Sequence, residues 1–360
     1  MRKYISLICI AVCSLANAQQ GKYKTLDSVL RAFAANDHFS GVVLIAEKGK
    51  IKYEEAFGYR EFASKVPLKE TDIFELASVS KQFTAMAIMM LKEKGLLQYD
   101  DLVEKYLDIP YKGITIRHLL THTSGLPDYQ GIMDKYWDKS KVAGNEDILA
   151  YLNKYAPPKL AGPGTKYEYS NTGYVLLASI AEKVSGRDFV EFVTTEIFHK
   201  LRMKHTAIRT LEEKAAVKNF AIGHIYVEAK NKFIRADSFP SSDYTIWLGN
   251  RKGPGRISST AQDLLKWDQA LYTNKLVSQQ TLEEAFTPMT LPDGKSTYYG
   301  FGWFIPNNSS GRIVWHSGDN PGYRTQIMRF IDKQYTLIVL SNSAPGEFNN
   351  VIKSARALIN

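Results

Sequence analysis

Apolar residues follow strand-like spacing near both ends of the chain and helix-like spacing in the middle. An apolar run at residues 42–45, the Lys48-Gly49 pair and the alternation that follows predict a β-hairpin over Gly41–Tyr59. Apolar side chains at helical spacing between residues 26 and 33 predict a helix ahead of this hairpin.

The C-terminal part of the chain returns to strand-like patterning. Short loops separate its apolar segments, so neighbouring strands are expected to pair antiparallel. The predicted strands are Tyr298–Ile305, Arg312–His316, Gly322–Ile331 and Tyr335–Leu340. A closing helix is predicted over Val351–Ile359.

The segment from Val79 to Leu91 carries apolar side chains on every face of a helix. That pattern is typical of a helix buried in the protein interior, and Gly95 is a suitable residue for its end. Farther along, a second helix is predicted over Tyr174–Val184, with Gly186 just beyond it.

Two weaker signals lie in the middle of the chain. The hydroxyl of Thr260, followed three residues later by Asp263, predicts a capping box at the start of another helix. Ahead of it, two short segments predict a small hairpin, Phe220–Tyr226 and Lys232–Arg235.

Strands at both ends with helices between them predict an α/β (α+β) fold. We expect an antiparallel sheet flanked by helices, with an all-helical insertion. The predicted sheet domain is discontinuous, at residues 19–76 and 291–360, and the mainly helical domain covers residues 77–290.

Residues 1–18 have the pattern of a secretory signal peptide. Arg2 and Lys3 precede a mostly apolar run, and an Ala-x-Ala cleavage site ends at Ala18. The apolar run is short for a membrane span, and no later stretch reaches 18 apolar residues. Cleavage after Ala18 would leave a periplasmic or secreted protein with no transmembrane segment.

The composition of the 360 residues is that of a globular protein, with 44% hydrophobic and 23% charged residues. Both cysteines, Cys9 and Cys13, lie in the predicted signal peptide, so the mature chain would hold no disulfide and no thiolate metal site. His38, His199, His205 and His224 lack H-x-x-x-H spacing and nearby acidic partners, and neither a metal nor a cofactor is predicted. Cleavage lowers the formal charge from +9 to +7, and the dispersed basic residues do not indicate a nucleic-acid partner.

Ser78 begins the predicted buried helix, and Lys81 lies on the same face one turn later. An amine whose pKa is lowered by burial or by nearby positive charge can take the proton of such a hydroxyl. Unpaired amide hydrogens at the helix start would stabilise negative charge on the oxygen. The alternative is a serine N-cap with a lysine on a solvated face, which a helix apolar on all sides disfavours.

Two further motifs carry candidate chemistry. Tyr169-Ser170-Asn171 lies in a loop, where a phenol beside an ammonium can ionise more easily and an Asn amide can bind a substrate carbonyl. His316-Ser317-Gly318 ends the predicted Arg312–His316 strand, where the glycine lets a substrate backbone approach. The histidine would offer a weak, pH-dependent positive charge to a substrate carboxylate, although a single histidine at a strand end is more often structural.

In this order and spacing, Ser78-x-x-Lys81, Tyr169-x-Asn171 and His316-x-Gly318 resemble the motifs of the penicillin-recognising serine hydrolases. The nearest likeness is to class C β-lactamases, related D-alanyl-D-alanine carboxypeptidases and β-lactamase-like esterases. Three other segments are similar to segments of that group, at residues 114–127, 163–171 and 259–263.

The resemblance implies that Ser78 is the acylated nucleophile and that Lys81 and Tyr169 transfer its proton and later activate water. It also implies an oxyanion hole formed by the backbone N–H groups of Ser78 and Asp319. The substrate-binding residues would be Asn171, His316, Ser317, Gly318 and Asp319.

The function expected first is hydrolysis of amide bonds in β-lactams or D-amino-acid peptides by an exported enzyme. Class C β-lactamases carry Lys where this chain has His316, which is similar to some carboxypeptidases and D-amino-acid peptidases. The alternatives are a carboxylesterase with the same machinery and a non-catalytic cell-wall or peptide-binding protein. The expected partner is a small-molecule or peptide substrate: a β-lactam, a D-peptide or an ester.

Overall fold

The computed structural model describes residues 21–35, 38–307, 311–344 and 346–359. The predicted signal peptide lies outside these residues. Within the described ranges, no helix is both long enough and apolar enough to cross a membrane.

The secondary-structure elements are numbered in chain order. The strands are β1 (Gly41–Glu47), β2 (Lys50–Phe57), β3 (Tyr59–Glu61), β4 (Val66–Pro67), β5 (Phe74–Glu75), β6 (Ala207–Ile208), β7 (His224–Val227), β8 (Lys232–Arg235), β9 (Ile257–Ser259), β10 (Ile313–Asn320), β11 (Tyr323–Phe330), β12 (Tyr335–Ser341) and β13 (Ser343–Ala344). The α-helices are α1 (21–35), α2 (Lys81–Glu93), α3 (Ile116–Leu120), α4 (Tyr129–Tyr136), α5 (Asn145–Tyr155), α6 (Asn171–Ser185), α7 (Phe189–Val193), α8 (Leu211–Ala216), α9 (Tyr244–Trp247), α10 (Ala261–Ala270), α11 (Gln279–Ala285) and α12 (Phe348–Arg356). Shorter helical turns are Ala77–Ser80, Val103–Lys105, Thr194–His199, Glu228–Lys230, Ala236–Ser238 and Pro240–Ser242.

A five-stranded antiparallel sheet joins the two ends of the chain. Its strand order is β10-β11-β12-β1-β2, so β1 pairs with β2 on one side and with β12 on the other. The predicted hairpin at the N-terminal end is confirmed, and so is the predicted fold class. Three smaller sheets accompany this one, in the orders β13-β7-β8, β3-β4 and β5-β9-β6.

The two faces of the main sheet pack against different clusters of buried side chains. Because side chains alternate along a strand, Val42 and Leu44 of β1 face the larger cluster, which includes most of the helices. Val43 and Ile45 face a smaller cluster that α1 and α12 complete. The sheet is therefore covered on both faces.

Helix α2 lies in the interior, as its apolar faces predict. It begins at Lys81 and is buried through Leu91, and it packs against α6. Gly95 follows its end with a φ of +72°, the left-handed conformation that glycine adopts without strain. The preceding Ala77–Ser80 turn packs against β10, so the start of α2 lies beside the edge of the sheet.

Two strand predictions from the C-terminal part are wrong in their bounds. Residues 298–305 form only isolated bridges, because Gly302 turns the chain at a φ of +78° and Gly300 approaches a neighbouring backbone too closely for a side chain. The strand predicted to end at His316 continues to Asn320, since pairing with β11 outweighs the low strand propensity of the last residues. His316 therefore lies in the middle of β10 and not at its end.

Two predictions from the middle of the chain are confirmed in part. The hydroxyl of Thr260 caps α10 by accepting the N–H of Asp263. The Asp263 carboxylate instead accepts the N–H of His205 at 2.8 Å and the hydroxyl of Thr206 at 3.0 Å, so half of the capping box forms. The small hairpin consists of β7 and β8, and β7 begins at His224.

Candidate active site

Ser78 lies in the Ala77–Ser80 turn directly before α2, and its side chain is partly exposed. Ala77 has a φ of +48°, a left-handed conformation that costs an alanine free energy and persists only when neighbours hold it. The hydroxyl of Thr325 on β11 donates to the carbonyl oxygen of Leu76 at 2.7 Å. The sheet thus helps to hold the strained backbone that presents Ser78.

The amine of Lys81 is buried beside three oxygen atoms. Its Nζ lies 3.0 Å from Ser78 Oγ, 2.9 Å from Asn171 Oδ1 and 3.0 Å from the carbonyl oxygen of Pro254. Burial lowers the pKa of Lys81 well below its ordinary value, and the positive charge of Arg251 lowers it further. The predicted serine–lysine pair is therefore present, with an amine that loses its proton easily.

The geometry around Lys81 also accommodates the neutral amine, which its lowered pKa favours. The oxygens of Asn171 and Pro254 belong to carbonyl groups, which only accept hydrogen bonds. A neutral amine has two hydrogens for these two acceptors, and its lone pair then faces the hydroxyl of Ser78. In that state Lys81 can accept the proton of Ser78.

Tyr169 lies at the mouth of the site, with 39% of its surface exposed. Its ring centre is 4.8 Å from Lys81 Nζ, and Ser78 lowers the pKa of its phenol by a smaller amount than burial raises it. Burial of the phenol raises the pKa of Tyr169. The prediction that the neighbouring amine makes this phenol ionise more easily is therefore wrong, because the effect of burial on the phenol dominates.

Asn171 begins α6 and joins two parts of the site. Its Oδ1 accepts from Lys81, and its Nδ2 donates to Asp128 Oδ2 at 3.2 Å. The hydroxyl of Ser170 caps the helix by accepting the N–H of Gly173. The cap fixes where α6 starts, and with it the position of the Asn171 amide.

The imidazole of His316 is buried and has partners at both nitrogens. Its Nδ1 donates to the carbonyl oxygen of Ser317 at 2.6 Å, so Nε2 accepts from the hydroxyl of Tyr299 at 2.8 Å. Burial, with a smaller contribution from Lys81, lowers the pKa of His316 to about 3. The prediction that His316 carries a positive charge for a substrate carboxylate is therefore wrong, because the ring is neutral at any physiological pH.

The alternation along β10 separates the side chains of the His316–Asp319 motif. His316 and Gly318 face the site, and a Cβ on Gly318 would lie 2.1 Å from the carbonyl oxygen of Leu76. Ser317 and Asp319 therefore face the opposite side of the sheet. There the carboxylate of Asp319 lies 3.7 Å from Arg324 and is 78% exposed. The structure does not place these two side chains in the site.

The backbone N–H of Asp319 points to the outer edge of the sheet. β10 is the edge strand of the sheet, and on its outer edge the N–H and C=O of Trp315 bond to Phe304 at 3.0 and 2.8 Å. Backbone groups along a strand point alternately to the two edges, so the N–H of Asp319 points to this same outer edge. No strand of the described chain covers the edge at residues 317–319.

Two further residues act on the site, and sequence spacing does not point to either. His122 accepts the N–H of Ser170 at Nδ1 (3.0 Å) and the N–H of Glu168 at its carbonyl oxygen (2.8 Å). Its ring centre lies 4.2 Å from that of Tyr169, with the two rings tilted by 38°. Arg251, which donates to the hydroxyl of Tyr129 at 2.6 Å, supplies the positive charge that acts on Lys81. The place of His122 in residues 114–127, a segment with family resemblance, is its one sequence signal.

The Beta-lactamase family model matches residues 26–360, and the chain belongs to this family of serine hydrolases. Penicillin-binding protein 4* of Bacillus subtilis (strain 168) is 43% identical to the chain over 328 residues, which cover 90% of this chain and 72% of that protein. The resemblance inferred from the three motifs and the assignment as an enzyme are both confirmed.

Solved structures with the same fold support this membership. The octameric penicillin-binding protein homologue from Pyrococcus abyssi superimposes with a TM-score of 0.79 at 28% identity, covering 93% of this chain and 77% of that one. The D-amino acid amidase from Ochrobactrum anthropi SV3, complexed with D-phenylalanine, gives a TM-score of 0.73 at 25% identity and covers 96% and 99% of the two chains.

Proposed function

We propose that this protein is an exported hydrolase that cleaves amide bonds in β-lactams or D-amino-acid peptides through an acyl-enzyme on Ser78. The observation that carries the proposal is the buried Lys81 amine, 3.0 Å from Ser78 Oγ and with a lowered pKa. The relatives named as a penicillin-binding protein and a D-amino acid amidase support this substrate class.

Acylation would begin with the neutral amine of Lys81. Ser78 Oγ attacks the substrate carbonyl carbon as its proton passes to Lys81 Nζ, and the N–H groups of Ser78 and Asp319 stabilise the negative oxygen. The hydroxyl of Tyr169 then gives its proton to the leaving nitrogen and recovers one from Lys81. The carbon–nitrogen bond breaks, and the acyl group remains on Ser78.

Deacylation would use the same groups in reverse. Water attacks the acyl carbon while Lys81, neutral again, accepts a proton from it. The bond to Ser78 Oγ breaks, and the proton returns to that oxygen. Because the pKa of Tyr169 is raised, its phenol acts as a neutral proton relay and not as a phenolate base.

Labelling with a fluorescent penicillin tests this proposal. We expect covalent labelling of the wild-type protein, with the added mass on the peptide that contains Ser78, and none in Ser78→Ala. Lys81→Met should slow labelling about 10²–10⁴-fold, the usual contribution of a general base. Ser64→Ala, at an exposed turn, is the matched control. Labelling that persists in Ser78→Ala would reject Ser78 as the nucleophile.

A carboxylesterase is the second candidate, and the state of His316 favours it. Neither ring nitrogen is free, and the ring is neutral, so His316 offers no charge to a leaving group that carries a carboxylate. Comparing kcat/KM for short-chain p-nitrophenyl esters, nitrocefin and acyl-D-Ala-D-Ala peptides separates the two candidates. A preference of about 100-fold or more for esters, worth about 2.7 kcal/mol in transition-state binding, would favour the esterase.

Export is proposed from the sequence of residues 1–18 alone. Expression of the full chain in a bacterial host should yield a periplasmic or secreted protein whose first residue, by N-terminal sequencing, is Gln19. A protein that keeps Met1 and stays in the cytoplasmic fraction would contradict the proposed signal peptide.

A further inference from the structure

The uncovered edge of β10 leads into a separate cavity. Asn320 and Pro321, which follow directly after the edge at residues 317–319, line a cavity of about 580 Å³. Small ligands occupy cavities of this size. An extended substrate that pairs with the free edge, as peptides do with exposed strands, would have one end at this cavity.

Most ionised groups around the cavity already have partners of opposite charge. Arg60 pairs with Asp72 at 3.2 Å, and Arg235 pairs with Asp237 at 2.9 Å. Glu61 accepts from the imidazole of His224. The two ion pairs leave no excess charge, and the remaining charges of Glu61 and the exposed Lys218 are opposite in sign.

Three of the other lining groups form a buried cluster whose charges do not balance. The carboxylate of Glu75 pairs with Lys214 and lies 3.9 Å from the guanidinium of Arg256, so one anion serves two cations. The exposed fractions of the Lys214 and Arg256 side chains are 12% and 3%. Among the described residues, Arg256 Nε and Nη2 have no hydrogen-bond partner.

An excess positive charge in a buried place costs free energy, because protein screens and solvates it less well than water. Burial is the main cause that lowers the pKa of Lys214 to about 8, and Arg256 contributes. A negative group inside the cavity would reduce this cost. The remaining wall is largely apolar, including Leu211, Val217, Phe220 and Ile246, which suits a carbon chain carrying that group.

We propose that this cavity is a substrate subsite that binds a carboxylate on the acyl side chain of the substrate, through Lys214 and the neighbouring charge of Arg256. The proposal rests on the proposed acyl-enzyme function for its substrate, but the cavity and its charges stand independently of the chemistry at Ser78. A bound carboxylate would supply a second negative charge beside the two cations, which Glu75 alone does not neutralise.

A matched pair of substrates tests the subsite. N-succinyl-D-alanine p-nitrophenyl ester carries a carboxylate on its acyl side, and the N-succinamoyl ester replaces it with a neutral amide of the same size. We expect the carboxylate to lower KM about tenfold, the usual worth of a charge-assisted hydrogen bond, with kcat nearly unchanged. Hydrolysis by Ser78→Ala gives the background rate.

Variants at Lys214 assign the effect to the cavity. Lys214→Met keeps the length of the side chain but removes one of the two cations, so the two substrates should then differ by less than about twofold. Lys214→Arg should restore most of the preference. Lys230→Met, at an exposed turn outside the cavity, is the control for loss of one positive charge. This variant should keep the preference for the carboxylate substrate. Circular dichroism verifies that each variant is folded.

Calorimetry with the fragment N-succinyl-D-alaninamide measures binding to the subsite without any turnover. Binding to the wild type that weakens about tenfold in Lys214→Met would support the subsite, whether or not the esters are hydrolysed. If neither ester is hydrolysed, that result refutes the proposed function and leaves the subsite standing. Equal KM values for the two esters, or a preference that survives in Lys214→Met, would overturn the subsite. Free succinate that binds as tightly as the fragment would also overturn it, since the cavity would then serve a free anion.

Discussion

At the scale of single residues, burial sets the chemistry of the site more than residue type does. Lys81 and His316 are both basic side chains, and burial lowers the pKa of each. For Lys81 this creates a base from a group that is ordinarily protonated. For His316 it removes a charge that the histidine side chain alone would suggest.

The pH profile of acylation should reflect Lys81. Only its neutral form accepts the proton of Ser78, so kcat/KM should rise with pH through the pKa of Lys81 and stay high above it. Arg251→Gln removes a positive charge that lowers this pKa, so the acid limb should move to higher pH. Steady-state kinetics between pH 4 and pH 10, a range chosen to span ordinary side-chain titrations, gives the measurement.

Two variants control this profile. Arg251→Lys keeps the positive charge, so its acid limb should stay near that of the wild type. His316→Gln should keep an acid limb as well, because the pKa of His316 is already about 3. An acid limb that disappears in His316→Gln would contradict the assignment to Lys81.

His122 is expected to act as a positioning residue for Tyr169. It accepts backbone N–H groups from both neighbours of Tyr169 and packs against its ring. His122→Ala should lower kcat about 10- to 100-fold, since small displacements of a catalytic group have effects of that size. KM should change little, because His122 does not face the cavity proposed for the substrate.

His122→Asn offers a side-chain oxygen to Ser170 and should recover part of the lost kcat. His199→Ala, on an exposed turn, is the matched histidine control. If His122→Asn is as slow as His122→Ala while both stay folded, the hydrogen bond to Ser170 is not what positions Tyr169.

At the scale of elements, β10 organises the site through its edge and its alternation. Its inner face brings Gly318 against Leu76 and Ala77, which hold the turn that presents Ser78. Its outer edge presents the N–H of Asp319. This strand thereby sets both the distance to the nucleophile and the direction of an amide donor.

Gly318→Ala tests this contact. A Cβ there would lie 2.1 Å from the Leu76 carbonyl oxygen, which is backbone and has little room to move. The strand and the turn must then separate, and the acylation rate should fall about 10²–10³-fold, as when one oxyanion donor is lost. Gly131→Ala, a helical position with open space around it, should stay as active as the wild type. Wild-type acylation in Gly318→Ala would show that the contact does not set the site.

At the scale of the whole molecule, buried polar contacts tie the helices to the sheet. Asp268 of α10 pairs with Arg329 of β11 at 2.5 Å and accepts the hydroxyl of Thr336 on β12 at 2.6 Å. Both charged side chains are almost fully buried. The predicted division into a sheet domain and a mainly helical domain stays a prediction. The Asp268 cluster links α10, which lies in the predicted helical domain, to β11 and β12 of the predicted sheet domain.

Breaking this ion pair should destabilise the protein strongly. Asp268→Asn leaves the Arg329 guanidinium buried without its anion, at a cost of about 3–5 kcal/mol in the free energy of unfolding. Arg329→Met alone should cost a similar amount, and the double variant should lose less than the two single variants combined. Chemical denaturation gives these values, and strictly additive losses would contradict coupling between the two side chains.

The sequence alone determined the local features of this protein. The all-apolar faces of α2, the three-residue spacing of Ser78 and Lys81, and the hairpin of β1 and β2 follow from side-chain patterns within a few residues, because helix and strand geometry repeat over that distance. The three motifs in order also indicated the family, which the comparisons confirm.

Only the tertiary structure decided the electrostatics and the directions of groups in the site. The neutral ring of His316 results from burial beside Tyr299, and the roles of His122 and Arg251 result from contacts with residues distant in the chain. The outward side chains of Ser317 and Asp319 depend on the register of β10 against β11. Desolvation and register arise from segments far apart in sequence, so no local pattern could contain them.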